Sequence, residues 1–175
     1  MTSDAPPAPP RIEPATPHDI PTIIALAEAT WEPTYRFIIS GEQLEYMYRV
    51  IYSPAALRRQ MAEQHHTFLL AYVEGAPAGF ASFGPLPADD GAGTGYKLHK
   101  IYVLPTRQGQ GLGLHLIEAV ENAARAAGGT YLDLNVNRYN PAIAFYERRG
   151  FARQREVDVA IGPYFMNDYL MRKPL

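Results

Sequence analysis

Cysteine is absent from the 175 residues, which excludes thiolate metal sites, disulfides and any acyl-cysteine intermediate, and agrees with a reducing compartment. Net charge is nearly absent as well. The 16 Lys+Arg and 18 Asp+Glu leave −2, a balance with no general attraction for nucleic acid or an anionic membrane. No apolar run approaches the ~20 residues of a membrane span, and residues 1–10 have neither the basic start nor the apolar stretch of a signal peptide. The expectation is a soluble, cytoplasmic protein with no nucleic-acid or membrane partner. What the chain does have is 47% hydrophobic and 19% charged residues. That content lets a single domain bury roughly 70% of its unfolded surface without covalent staples.

Pro6, Pro7, Pro9 and Pro10 crowd the start, where fixed φ and missing N–H groups favour a disordered, extended tail over residues 1–10. One domain is expected over 11–175. Arg11 to Pro14 reads as a strand; a helix capped by Thr16 or Asp19 follows and should end before Pro33. Leu44, Met47, Tyr48 and Ile51 recur at helical spacing, and Ser53-Pro54 opens a further helix to about Gln64. Thr67–Val73 and Ala78–Phe83 predict an antiparallel hairpin, and Tyr96–Val103 a fourth strand. Leu112 to Ala127 has the clearest helical period, stopped by Gly128-Gly129. A strand at Tyr131–Val136, a short helix at Pro141–Arg149 and strands at 151–159 and 164–171 complete an α/β chain with a mixed sheet flanked by helices.

The fourth strand feeds that helix through Gln108-Gly109-Gln110-Gly111-Leu112-Gly113. Alternate glycines remove side chains where an anion would sit, and the free amides of a first helical turn carry about +0.5 charge, so a pyrophosphate suits the turn. The pattern is G-x-G-x-G. It is neither the dinucleotide fingerprint G-x-G-x-x-G nor a P-loop, which needs Lys-Ser/Thr. A tight turn with no ligand remains the alternative.

This segment resembles the Q/R-x-x-G-x-G/A turn of GNAT-type N-acetyltransferases, and Asn140-Pro141-Ala142-Ile143-Ala144-Phe145-Tyr146 before Gly150-Phe151 is similar to their second signature, in the same order. The resemblance implies a mixed, mostly antiparallel sheet splayed between the fourth and fifth strands, with acetyl-CoA wedged into the gap; no metal is expected, since adjacent His65 and His66 come with no H-E-x-x-H or carboxylate cluster. It implies that Ile101 and Val103, with Tyr102 between them, meet the pantetheine arm. Amides from Gln108, Gly109, Gln110, Gly111, Leu112 and Gly113 would hold the pyrophosphate. Asn140 and Phe145 would touch the cofactor, and Tyr146 would protonate the departing thiolate. A phenol of reference pKa ~10 holds its proton at neutral pH and can donate it. A narrower similarity, in spacing and carboxyl-terminal pattern, is to polyamine acetyltransferases.

An alkyl ammonium of pKa near 10.4 must lose a proton before it attacks. By the period of two, Lys97, His99 and Ile101 share one face of the fourth strand, and His99 stands where many relatives have a carboxylate. His99 or a water chain is the expected base. Glu28, Trp31, Glu32 and Tyr35 combine carboxylates and aromatic faces on one helix, able to attract a cation, and Tyr164 and Asp168 could close the same pocket. The expected reaction is direct transfer from acetyl-CoA to a small amine or polyamine in a ternary complex. Acetylation of a protein lysine or amino terminus, and a non-catalytic CoA sensor, stay open. Arg148, Arg149, Arg153 and Arg155 read as a solvated face or a phosphate contact, and edge strands leave room for a homodimer.

Overall fold

The computed structural model describes residues 8–88 and 91–175. Residues 1–7 of the expected tail lie outside the described residues; Ala8–Pro10 belong to no helix or strand. Seven strands, β1 (Arg11–Pro14), β2 (Thr67–Val73), β3 (Ala76–Pro85), β4 (Gly95–Val103), β5 (Tyr131–Asn137), β6 (Ala152–Ile161) and β7 (Tyr164–Pro174), form one sheet in the order β1-β2-β3-β4-β5-β7-β6. Every neighbouring pair is antiparallel except β4 with β5. That exception requires a crossover, supplied by α4 (Leu112–Ala126).

Each face of the sheet buries its own apolar cluster. On one face α4 and α5 (Ala142–Arg148) pack Leu116, Ile117, Val120, Ile143 and Phe151 against Leu98, Leu132, Leu134 and Met171. The other face is covered over its first half by α1 (Ile20–Tyr35), α2 (Gly41–Tyr52) and α3 (Pro54–Ala62), which bury Ile23, Leu26, Trp31, Met47 and Leu57 against Phe68, Leu70 and Phe80. Local chemistry starts these helices. The Ser40 hydroxyl accepts from the Gln43 amide at 3.2 Å and the Ser53 hydroxyl from the Ala56 amide at 3.2 Å, with Pro54 needing no partner at the first helical position.

Helix α1 differs from its expected end. It runs through Pro33 to Tyr35, and Arg36 still donates to the Glu32 carbonyl at 3.0 Å. Proline removes one hydrogen bond, to the carbonyl of Ala29, which is an exposed residue. Ion pairs tie the far side together. Arg172 grips buried Asp133 through two bonds of 2.7 and 2.9 Å, and Lys173 reaches buried Glu121 on α4 at 2.7 Å.

Candidate active site

The parallel pair β4–β5 is short. Register runs only from Gly95↔Tyr131 to Leu98↔Leu134, after which the strands part. Backbone groups that a neighbouring strand would occupy face an opening instead. The cavity there measures about 760 Å³ and reaches from α1 across the β4–β5 gap to the amino ends of α4 and α5. That size suits a drug-sized or larger ligand.

At one end lies the glycine turn. Gly109 and Gly111 hold φ of 76° and 80°, in the left-handed region, and nothing lies within 4 Å of where a Cβ on Gly109 would stand. Gly111 is the residue before α4, and no side chain caps the helix. The first amides of a 15-residue helix therefore point their partial positive charge into the cavity unopposed. Gln108, Gly109, Gly111, Leu112 and Gly113 border the cavity; exposed Gln110 does not. The Leu112 side chain is buried in the core under α4, leaving its backbone for a ligand. Arg107 and Arg148 also border this end. Arg107 pairs with Glu74 at 3.1 Å, whereas Arg149 and Arg153 are tied to Glu118 and Glu147. The basic stretch is thus divided among Arg149 and Arg153 in ion pairs, exposed Arg155, and Arg148 on the cavity rim. Sequence order alone gave no means of separating them.

Along the gap, Gln108 Nε2 donates to the Val103 carbonyl at 3.2 Å. Asn140 Oδ1 accepts from the Ala142 amide at 2.9 Å and so fixes the start of α5. Phe145 and Tyr146 border the cavity beside it. Tyr146 is 8% exposed, and its burial pushes the phenol above its ordinary pKa.

The period-of-two reading of β4 fails at one place, and a β-bulge is the reason. Ser82 and Phe83 of β3 pair with Lys100 and Leu98, so His99 is an extra residue on β4. Ile101 and Val103 consequently turn to the α4 face with Leu98, and Ile101 does not share the face of His99. His99, Lys100 and Tyr102 lie on the face of the amino-terminal helices instead. His99 stacks on His66 with ring centroids 3.8 Å apart and planes 13° apart, Lys100 donates to Gln60 Oε1 at 2.7 Å, and the Tyr102 hydroxyl bonds that of Tyr35 at 2.9 Å. Tyr102 thus presents its ring to α1 rather than to the pyrophosphate end. Burial, then the stacked His66 and the two lysines, hold the His99 imidazole down at about 3; burial holds Lys100 at about 7.

Of the four residues expected to line an acceptor pocket on α1, only Tyr35 borders the cavity. Trp31 is 5% exposed and packs on Tyr35, Tyr52 and Tyr102 as core. Glu28 and Glu32 are exposed; Glu32, one position along from inward Trp31, lies about 100° around the helix from it. Tyr164 packs against Tyr46 of α2 with ring centroids 5.5 Å apart and planes tilted by 58°, and Gln43 Nε2 donates to the Phe165 carbonyl at 2.8 Å. The β6–β7 hairpin is seated on α2 by these contacts. Gly162 permits the approach, having φ of 56° and no room for a Cβ against the Tyr46 ring.

The sequence model of the Acetyltransferase (GNAT) family matches residues 24–151. An uncharacterised N-acetyltransferase in the pepI 3′ region of Lactobacillus delbrueckii subsp. lactis is 28% identical over 90% of this chain and 92% of its own length. The IAA acetyltransferase of Azospirillum brasilense is 33% identical over 66% of this chain and 72% of its own. Among solved structures, a GCN5-related N-acetyltransferase from Rhodopseudomonas palustris superposes with a TM-score of 0.79 at 25% identity, covering 99% of this chain and 100% of that one. The PaiA N-acetyltransferase of Thermoplasma acidophilum, in complex with coenzyme A, has the same fold with a TM-score of 0.79 at 24% identity, over 96% and 100% of the two chains. The parted strands and bare glycine turn are therefore those of a known enzyme architecture: the chain belongs to the GNAT family of N-acetyltransferases and has their acetyl-CoA-binding fold.

Proposed function

We propose that this protein transfers the acetyl group of acetyl-CoA directly to a small primary amine. The contact of the β6–β7 hairpin with α2 carries the choice of acceptor. Tyr46–Tyr164 and Gln43–Phe165 tie the hairpin to α2 outside the residues that line the cavity, a bridge that leaves less open edge for a polypeptide strand than for a small molecule.

The residues present fit acetyl-CoA. The unpaired edges of β4 and β5 match the amide groups of a pantetheine arm, with Ile101 and Val103 on one side and Asn140 on the other. The amides from Gln108 to Gly113 and the Arg107 and Arg148 side chains suit its phosphates. The bound cosubstrate supplies an activated acyl carbon on a thiol leaving group. Tyr146 holds its proton at neutral pH and is the donor for the departing sulfur; the burial that raises the phenol raises a neighbouring thiolate too, so the two remain matched. An amide of the bulged β4 segment would stabilise the oxyanion. His99 is a weak base for an ammonium, lying roughly seven units below the ~10.4 of the acceptor, so its place is structural, in the stack with His66.

The test is acetyl-CoA consumption with polyamines, amino acids, aminoglycosides and lysine or amino-terminal peptides, alongside calorimetry with CoA. Turnover on small amines with CoA binding is expected. Turnover confined to peptides would overturn the choice of acceptor, and binding without turnover on any amine would favour the sensor.

A further inference from the structure

Three carboxylates are buried among the described residues: Glu121, Asp133 and Asp168. Glu121 is held by Lys173 and Arg125, and Asp133 by Arg172. Asp168 is 7% exposed, has no ion pair, and its Oδ1 has no hydrogen-bond partner. A buried acceptor left bare is costly unless something else arrives to fill it.

Its position says what that could be. Asp168 sits on β7 opposite Asn137 of β5 and Val157 of β6. It shares with Met166 the sheet face of the amino-terminal helices. Asn135, two residues from Asn137 on the same face, borders the cavity, while Asp168 itself is not among the lining residues. The Asp168 charge raises the Tyr35 phenol, and Tyr35 in turn raises Tyr146. The Tyr35 hydroxyl thus lies within electrostatic reach of both the unpartnered carboxylate and the proposed proton donor. The other groups that act on Asp168 are Lys97 from β4, Arg138 after β5 and Asp158 from β6. None of them bonds Oδ1. Arg138 spends its guanidinium tips on Glu156 at 3.0 Å and Asp158 at 2.7 Å, and its Nε reaches only the Asp168 backbone carbonyl.

We propose that Asp168 receives the acceptor's ammonium group and takes its proton, so that the acceptor is a small primary amine entering as a cation. This rests on the acetyltransferase reading above. One N–H proton passes to Oδ1 and leaves a neutral amine. Its lone pair forms the C–N bond, the thioester carbonyl electrons move onto oxygen, and their return breaks the C–S bond. The sulfur takes the Tyr146 proton, the amide nitrogen loses its extra proton to restore Tyr146, and the Asp168 proton leaves to solvent. Burial holds the Asp168 carboxyl up at about 6 against the lowering by Lys97 and Arg138. It is therefore ionised at pH 7 yet a stronger base than an ordinary aspartate by about two units.

The test uses the full chain with n-butylamine, 1,4-diaminobutane, spermidine and tyramine as probes. Carboxyl carbon NMR should show Asp168 titrating near pH 6, and shifting downward by a unit or more when 1,4-diaminobutane is added with saturating CoA. Asp168→Asn should lower kcat/KM at least 100-fold and abolish the limb of the rate profile near pH 6, with CoA affinity held within twofold. Asp168→Glu should restore part of that limb. If the wild type acetylates these amines while Asp168→Asn stays within threefold of it, or the Asp168 resonance ignores the amine, the inference fails and the acetyltransferase reading stands. If the wild type binds no CoA, that reading fails and takes the inference with it. The wild-type titration decides the matter even if Asp168→Asn does not fold.

Discussion

Acidification from pH 7 to pH 5 should weaken the fold by about 2–3 kcal/mol, mainly through the stacked His66 and His99. Burial and the nearby Lys97 and Lys100 hold His66 at about 4, and the same causes with His66 itself hold His99 at about 3. Both titrate near 6.5 once unfolded. Between those values the unfolded chain binds more protons than the native one. The stability these rings contribute is therefore complete above pH 6.5 and declines as pH falls toward 4 and 3. By pH 5 each has given up about 2 kcal/mol. Asp168 works in the opposite sense: its native carboxyl is raised to about 6, so it gains protons first in the folded state and returns about 1 kcal/mol. Lys100, held at about 7, completes its charging below neutrality and subtracts only about 0.4 kcal/mol. For a chain of this size the net change corresponds to a fall in Tm of roughly 5–10 °C. Urea unfolding at half-unit pH steps measures it directly. His66→Leu removes one of the two acid-labile rings and should flatten the dependence by about 2 kcal/mol. A wild type equally stable at pH 7 and pH 5, or a His66→Leu variant as acid-sensitive as its parent, would refute the reasoning.

Tyr146→Phe should lower kcat by one to two orders of magnitude and leave the calorimetric Kd for CoA within about twofold, since only a proton donor is lost; equal kcat would remove the role. Gly111→Ala places a Cβ on a residue with φ of 80°, which costs roughly 1–2 kcal/mol. Both a Tm lower by about 2–8 °C and weaker CoA binding are expected, read by differential scanning calorimetry and titration. Gly162→Ala should lift the hairpin from Tyr46 and raise KM for the amine several-fold while KM for acetyl-CoA stays put; matched changes in both would contradict an acceptor-side contact.

The cofactor half of the site is largely readable from local sequence because its determinants are local. A strand, a glycine turn and a helix follow one another within residues 95–126, and residues 140–151 repeat the economy with α5. The acceptor half is assembled from distant pieces, and there the reading thins. Trp31 is an aromatic that could stack on a substrate or fill a core, and only packing against Tyr52 and Tyr102 decides for the core. The bulge at His99 adds a residue that no alternation pattern announces, and it moves Ile101 to the opposite face. Asp168 is legible as a residue that could close the acceptor pocket, but not as a base until its Oδ1 is found without a partner. Pro33 is a helix breaker by rule, but here it removes a single hydrogen bond two residues from the end, and packing carries the helix through it to Tyr35.

The strand order has a consequence for synthesis. β7 lies between β5 and β6, although it is made after both. Until residues 164–174 emerge from the ribosome, the outer edge of β5 has no partner and β6 has nothing to dock on. A nascent chain paused at that stage offers an adhesive margin to any neighbour. Chaperone occupancy during translation should accordingly peak late and drop once the last strand slips into place.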